Sequence, residues 1–447
     1  MRRRPLAPAR VLAISFATMI LTGAVLLSLP IASATGERIP PVDALFTSTS
    51  AVCVTGLIVN DTPKAFSGFG QVVVMLLIQA GGLGYMTLST AIAVFLGKRL
   101  TLQERLTLKE ALNIETMEGL VAFALTVLKF TAVFELTGAA ILTLRFWVEH
   151  PLPKAAYLGL FHAVSAFNNA GFSLFTNNLM DYRGDVVVNV TITSLIVCGG
   201  LGFLVLSELG RVRRWARLSV HTRLVVVVTA VLIAVGTVTI YLLERSNPAS
   251  LRGLGFGEAL LASYFQAVTP RTAGFNTLDI SALTPATLYF IIILMYIGAS
   301  PGGTGGGVKT STFGIAMLAL WTTLRGESEP VLFGRRLSRD LAARSFFICM
   351  IALMALNVVA VAVLIVEGQT LLPTLFEATS AFGTVGLSMS PPGSPLSLSS
   401  IFTPAGKLII AAMMFMGRVG PLTLAVAVVG RQVTQRVRYP EGKVLIG

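Results

Sequence analysis

Phe376-Glu-Ala-Thr-Ser-Ala-Phe-Gly-Thr-Val-Gly386 decides the fold, because the chain writes it three more times. The other copies are Phe46-Thr-Ser-Thr-Ser-Ala-Val-Cys-Val-Thr-Gly56, Phe161-His-Ala-Val-Ser-Ala-Phe-Asn-Asn-Ala-Gly171 and Phe265-Gln-Ala-Val-Thr-Pro-Arg-Thr-Ala-Gly274. Each is an amphipathic stretch closing on a small residue and a glycine, followed by leucine or phenylalanine. The third copy is one residue shorter between its phenylalanine and its glycine, so the repeats are no longer equivalent.

A second landmark follows each first one: Gly81-Gly82-Leu83-Gly84-Tyr85, Gly199-Gly200-Leu201-Gly202-Phe203, Gly302-Gly303-Thr304-Gly305-Gly306 and Gly417-Arg418-Val419-Gly420-Pro421. Two landmarks in one order, four times over, define an internal repeat. The unit reads as span, short re-entrant helix, glycine turn, span. We place the repeats at 1–110, 111–217, 218–338 and 339–447.

Composition says what surrounds these units. The chain has 447 residues, is 54% hydrophobic and 12% charged, and has a mean hydropathy of +0.79. Water-soluble domains carry about 25% charged residues. Eight apolar segments stand out, at 11–29, 72–96, 120–146, 186–205, 224–243, 286–323, 346–366 and 408–427. Each approaches or exceeds the roughly 20 residues that a membrane span needs. The first is longer than a secretory h-region and no clear cleavage site follows it, so a removed signal peptide is not expected.

The net charge of +13 is unevenly placed. The side holding the N-terminus, the 97–119, 206–223 and 324–345 loops and the C-terminal tail carries 22 lysines and arginines against 9 acids. The opposite side carries 9 against 11. That asymmetry is the positive-inside pattern and predicts two cytoplasmic termini, with all four glycine turns facing outward. It assigns the charge to membrane orientation, with no nucleic acid implied. Trp147, Trp215 and Trp321 fall at span ends, as interfacial belts require. Cys53, Cys198 and Cys349 lie far apart in apolar stretches and read as small buried hydrophobes.

Lipid cannot satisfy bare backbone N–H and C=O groups, so non-helical backbone at membrane depth must be buried in protein or line a water-filled path. Four such turns can converge on one axis, where carbonyl oxygens replace a cation's hydration shell. The fold class expected is an all-α polytopic membrane protein, with four span–pore-loop–span repeats around a pseudo-fourfold central pore.

These turns resemble the four pore loops of the Ktr/Trk/HKT superfamily of potassium transporters, and the shorter KtrB-type subunit above all, since the chain starts directly with the first repeat's outer span. Thr384-Val385-Gly386-Leu387 is also similar to the Thr-Val-Gly-Tyr-Gly filter of potassium channels, without the Tyr-Gly. The resemblance implies potassium at a filter made by Val54, Thr55 and Gly56; Asn169, Ala170 and Gly171; Thr272, Ala273 and Gly274; and Thr384, Val385 and Gly386. It further implies a homodimer with one pore per protomer, a cytoplasmic ring of nucleotide-binding RCK subunits (KtrA-like), and sodium dependence in many members. Nucleotide is then the partner's ligand, because no cytoplasmic segment here is long enough to form such a domain.

The segment 286–323 would make a continuous helix roughly 57 Å long at about 1.5 Å per residue. In its middle lies Ser300-Pro301-Gly302-Gly303-Thr304-Gly305-Gly306-Gly307. One proline and five glycines would cost such a helix about 8 kcal/mol, so it must break. The break is expected to be a flexible intramembrane gate below the filter, comprising Gly302, Gly303, Thr304, Gly305, Gly306, Gly307 and Lys309. The third repeat of the resembled family carries such a loop; a passive kink is the plainer alternative. Gly302 to Thr310 is not a phosphate loop, because Val308 separates Gly307 from Lys309 and no strand precedes it.

Arg418 stands where the first two repeats have Gly82 and Gly200. A charge at mid-membrane normally faces the bundle interior. We expect Arg418 to line the pore below the filter, pair with glycine-loop carbonyls and act with the loop as a gate; a structural ion pair, with Glu135 as a candidate partner, is the alternative. Lys129 and Lys309 are expected to snorkel or to serve the same loop. His162, Asn168 and Asn169 are expected to hold the second turn, and Arg271 to brace the third. A secondary transporter with broken helices is the competing function, but it would ordinarily show clustered intramembrane acids. No His/Cys/Asp constellation points to an enzyme.

Overall fold

The computed structural model describes residues 8–84, 106, 120–327 and 329–420. Repeat one comprises α1 (Pro8–Leu27), a short helix α2 (Pro41–Val52) and α3 (Gly68–Leu83). Repeat two has α4 (Leu120–Phe146), short helix α5 (Leu152–Phe167), α6 (Val186–Leu201) and α7 (Phe203–Arg211). Repeat three has α8 (Val220–Glu244), short helix α9 (Phe256–Val268), α10 (Pro285–Tyr296) and α11 (Thr310–Leu324). A small antiparallel hairpin, β1 (Val331–Leu332) and β2 (Arg335–Arg336), leads into repeat four. That repeat has α12 (Arg339–Glu367), short helix α13 (Leu371–Gly383) and α14 (Pro404–Val419).

The first helix of every repeat is long and apolar enough to cross a membrane: α1 over Arg10–Leu27, α4 over Val121–Phe146, and all of α8 and α12. Their outward faces keep large apolar side chains exposed, such as Leu136, Val238, Met354 and Ile365. Such a belt suits lipid, where apolar exposure costs nothing. The molecule's centre is the opposite of a usual exterior. The phenylalanine that opens each motif (Phe46, Phe161, Phe265, Phe376) is fully buried and anchors its short helix.

Each second helix starts at a side-chain cap. Ser67, Asp185, Thr284 and Thr403 accept the N–H of Gly70, Val188, Thr287 and Gly406. Such caps stabilise a helix start by about 1 kcal/mol. The same caps tie the second helix to the C-terminal end of the first. Arg145 reaches Asp185, Glu244 accepts from Thr284 N and Oγ1, Glu367 accepts from Thr403 N and Oγ1, and Ser67 donates to Ile31 O. The short helix is thereby held between two fixed walls.

The second helices differ from the expected continuous spans. Segment 186–205 breaks at Gly202 (φ 93°), and α7 leaves α6 at 100°. Gly84 and Gly420 end α3 and α14 with nearly the same angles, φ 76° and 92° with ψ 135° and 136°. A positive φ ends an α-helix, and glycine adopts it at no steric cost. The second landmark therefore bends the helix in repeat two and ends it, among the described residues, in repeats one and four. The remainders of 72–96 and 408–427, the 97–119 loop and the tail with Arg431, Arg436 and Arg438 lie outside the described residues.

Candidate functional site

The C-terminal ends of α2, α5, α9 and α13 run into the four turns, and they bring the negative ends of their helix dipoles. Every turn has the same backbone. Its first residue is left-handed, at Val54 (φ 50°), Asn169 (57°), Thr272 (70°) and Thr384 (50°). Its last is the motif glycine, also at positive φ: Gly56 (92°), Gly171 (70°), Gly274 (77°) and Gly386 (94°). A non-glycine residue in this region costs of order 1–3 kcal/mol and persists only where the surroundings enforce it.

The enforcement is visible. The middle residue's N–H turns back to a carbonyl of the short helix: Thr55 to Ser50 at 2.8 Å, Ala170 to Ser165 at 2.8 Å, Ala273 to Thr269 at 2.9 Å and Val385 to Ser380 at 2.8 Å. The missing residue of repeat three is absorbed here, since its bond closes over four positions where the others close over five. The hydroxyls of the same residues finish the work. Ser50 and Ser380 accept from Gly56 N and Gly386 N at 3.0 Å. Ser165 and Thr269 donate to the carbonyls of Phe172 and Phe275.

The turns close into a ring. A Cβ on Gly56 would stand 2.5 Å from the Ala170 carbonyl oxygen, and one on Gly171 would stand 2.8 Å from that of Ala273. One on Gly274 would strike Val385 O, and one on Gly386 would strike Thr55 O. The contacts run from repeat one to two, three, four and back to one. The middle carbonyl of every turn lies at this shared contact. Glycine is required here both by φ and by the neighbour's backbone. Outside the ring is a cavity of about 320 Å³ lined by all four glycines, with Asp61 and Asp279 among its walls.

The break of repeat three meets the turns at their first residues, away from that cavity. Its two arms pair with each other, Gly298 N to Val308 O at 2.9 Å and Thr310 N to Ala299 O at 3.2 Å. Its tip is bonded to the broken helix of repeat two, through Ser300 N to Gly200 O (2.9 Å), Thr304 N to Gly199 O (3.1 Å) and Phe203 N to Gly302 O (3.1 Å). Gly305 packs on the Thr272 side chain, and Gly306 N donates to Thr384 Oγ1 at 3.0 Å. The loop thus sits against the first turn residues of repeats three and four. Lys309 Nζ closes it by donating to Gly305 O at 2.6 Å.

Arg418 is where the expected gate is bound most firmly. Its Nη1 donates to Thr304 O, and its Nη2 to Gly81 O and Gly82 O. Glu135 is not its partner. That carboxylate accepts from Gln79 Nε2 (3.2 Å) and Asn168 Nδ2 (2.8 Å), in the seam of repeats one and two. Lys129 is exposed on α4 and makes no side-chain hydrogen bond among the described residues. His162 holds the second turn as expected: Nδ1 donates to Leu158 O at 2.8 Å, and Nε2 lies 3.0 Å from Ser173 Oγ. Asn169 meets Thr272 across the ring at 3.1 Å. Arg271 is buried beside the third turn, and its Nη1 makes no hydrogen bond among the described residues.

Sequence reasoning missed one residue. Glu377 reads by position as part of the outer side, yet it is fully buried in α13. It accepts from Ser388 Oγ at 2.5 Å and from Ser399 N at 3.0 Å. It stands directly after the motif phenylalanine, in the place of His162, and Ser173 and Ser388 both stand two residues past their glycines. That shared register is the signal in the sequence that pairs each of these residues with its serine.

A family model described as "TrkH: Cation transport protein" matches residues 15–433. The chain belongs to the TrkH family of cation transport proteins. It is 42% identical over 98% of its length to "Ktr system potassium uptake protein B" of Bacillus subtilis, covering 97% of that protein. It is 36% identical over its whole length to "Potassium/sodium uptake protein NtpJ" of Enterococcus hirae, covering 98% of it. The crystal structure of the TrkH potassium transporter from Vibrio parahaemolyticus shares the fold, with a TM-score of 0.72 over 93% of this chain and 84% of that one at 17% identity. As a TrkH-family chain it is a membrane transport protein, and its four turns are the backbone elements common to its repeats.

Proposed function

We propose that this chain takes up potassium through a channel-like selective pore in the plasma (inner) membrane, with both termini cytoplasmic. One observation carries the reading: four turns of like backbone, positive φ at first residue and glycine alike, meet in a closed cycle, with the middle carbonyls of Thr55, Ala170, Ala273 and Val385 at the contact. Oxygens held that rigidly can replace a cation's water shell without paying for reorganisation, and the dipole ends of four short helices favour positive charge there. The acidic outer cavity gathers the ion, the ring strips it, and the glycine loop below obstructs its exit. Arg418 holds the loop and adds a positive barrier at the same depth.

The printed names of the relatives, potassium uptake and potassium/sodium uptake, agree with this reading, and "Ktr system" fits a chain that works with a regulatory subunit. We place a homodimer on a nucleotide-binding RCK ring, with sodium as a second ion. The test is flux of potassium or rubidium into vesicles holding the purified chain, against sodium, for the wild type and Gly386→Ser. Selective uptake that loses its preference in the variant supports the pore. Absence of uptake with a folded protein, or unchanged preference, overturns it.

A further inference from the structure

We propose that Glu135 is a positioning residue for ion selection: it clasps Asn168 and so fixes where the second turn begins. The proposal deepens the pore reading above and rests on it. Glu135 lies within α4 and is 8% exposed. An ionisable side chain inside a span is costly to bury and normally marks a working part. Its partners are two amides, with no lysine or arginine among them. Oε2 accepts from Gln79 Nε2 at 3.2 Å, and Oε1 accepts from Asn168 Nδ2 at 2.8 Å.

The clasp works residue by residue. Phe134 stacks on Phe167, with ring centroids 5.7 Å apart and planes 15° from parallel, and the next residue of each helix makes the carboxyl–amide bond. Asn168 caps the C-terminus of α5 with right-handed backbone (φ −78°), and Asn169 after it is left-handed (φ 57°). The chain changes hand between these two residues, so whatever holds Asn168 sets the start of the turn. A left-handed non-glycine residue persists only where its surroundings enforce it. In turns one and four a serine hydroxyl of the short helix accepts from the motif glycine's N–H. In turn two Ser165 directs its hydroxyl to Phe172 O instead, and the hold has to come from elsewhere.

Asn168 has no freedom to answer another partner. Its Nδ2 faces Glu135 Oε1 (2.8 Å), Gln79 Oε1 (2.9 Å) and Val164 O (2.9 Å), three acceptors for two hydrogens. Its Oδ1 is buried without a hydrogen bond among the described residues and faces Gly82, where a Cβ would strike it. The side chain is thus wedged between α4 and the second landmark of repeat one. The arrangement belongs to repeat two alone, because Cys53, Arg271 and Gly383 stand in the place of Asn168 in the other repeats.

The test is competitive uptake of potassium and sodium into vesicles holding the full chain, with the melting temperature in detergent recorded for every variant. Glu135→Ala and Asn168→Ala should each lower potassium-over-sodium preference about fivefold or more, the scale of one lost buried hydrogen bond. The double variant should be no worse than Asn168→Ala, because both changes remove the same hold. Glu135→Gln should keep most of the preference, since its Oε1 still accepts from Asn168. Glu135→Leu fills the space without an acceptor and should lose it; this variant carries the comparison if the alanine variant does not fold. Wild-type preference in Glu135→Ala and Glu135→Leu, even with lowered melting temperatures, overturns the proposal and leaves Glu135 a structural contact. So does an additive loss in the double variant, or a Glu135→Gln preference no better than that of Glu135→Leu. Gly386→Ser in the same assay separates the two readings. If it keeps wild-type preference the pore reading fails; if it loses preference while Glu135→Ala does not, the clasp alone fails.

Discussion

Arg418 Nη1 donates to the carbonyl oxygen of Thr304, 114 residues away in sequence, and so ties the last helix of repeat four to the glycine loop of repeat three. The same guanidinium reaches Gly81 O and Gly82 O of repeat one through Nη2. One side chain therefore holds three repeats together. A planar fork with several donors suits this, and an ammonium does not.

Arg418→Ala and deletion of 303–307 should each raise potassium uptake and reduce its dependence on a cytoplasmic partner, with potassium selectivity kept. Arg418→Lys should fall between, retaining charge but losing the fork. Uptake rates at matched expression, with and without partner, check this. Rates unchanged or lower in both the deletion and Arg418→Ala would leave the loop a passive kink.

Serine at any filter glycine should lower potassium-over-sodium preference, because each site carries a positive φ and faces a neighbour's backbone. Gly386→Ser and Gly274→Ser should be the worst and Gly171→Ser the mildest, following how closely the new Cβ would approach the next carbonyl. A strain of about 1–2 kcal/mol corresponds to a roughly 5- to 30-fold change in an equilibrium. Competitive flux of the two ions measures it; wild-type preference in all four variants would contradict the filter.

Glu377→Ala should destabilise the fourth turn, since leaving a buried hydrogen-bonding group unpaired costs about 1–3 kcal/mol and the Ser388 hydroxyl and Ser399 N–H would both lose their acceptor. Glu377→Gln should recover part of this by keeping an acceptor. Thermal unfolding in detergent gives the stability, and ion preference shows whether the turn has moved. A melting temperature within a degree or so of wild type for Glu377→Ala would mean that the buried acid is dispensable.

Binding of an RCK ring should weaken as salt rises, because the cytoplasmic side is basic. Substituting Arg431, Arg436 and Arg438, or the arginines of the 206–223 loop, should reduce co-elution. Salt-indifferent co-elution would argue for an apolar interface instead.

The repeated turns and the broken third span were legible in the sequence because each is a local property. Phe-x-Ala-x-Ser/Thr with a glycine after it encodes a short helix and a left-handed stop without reference to anything distant. Five glycines and a proline forbid a helix wherever they lie. Even the helix ends at Gly84, Gly202 and Gly420 had a local sign, the glycine of the second landmark, though the length of the apolar segments hid it. What only the tertiary structure decided is who meets whom. The cycle from Gly56 to Ala170, Ala273, Val385 and back to Thr55 exists only once four repeats have closed on one axis. Arg418 meets Thr304, and Glu135 meets Asn168, because the closed ring leaves each polar group a single reachable set of partners. Residue type says that a buried charge must be satisfied; only the assembled backbone says by which oxygen.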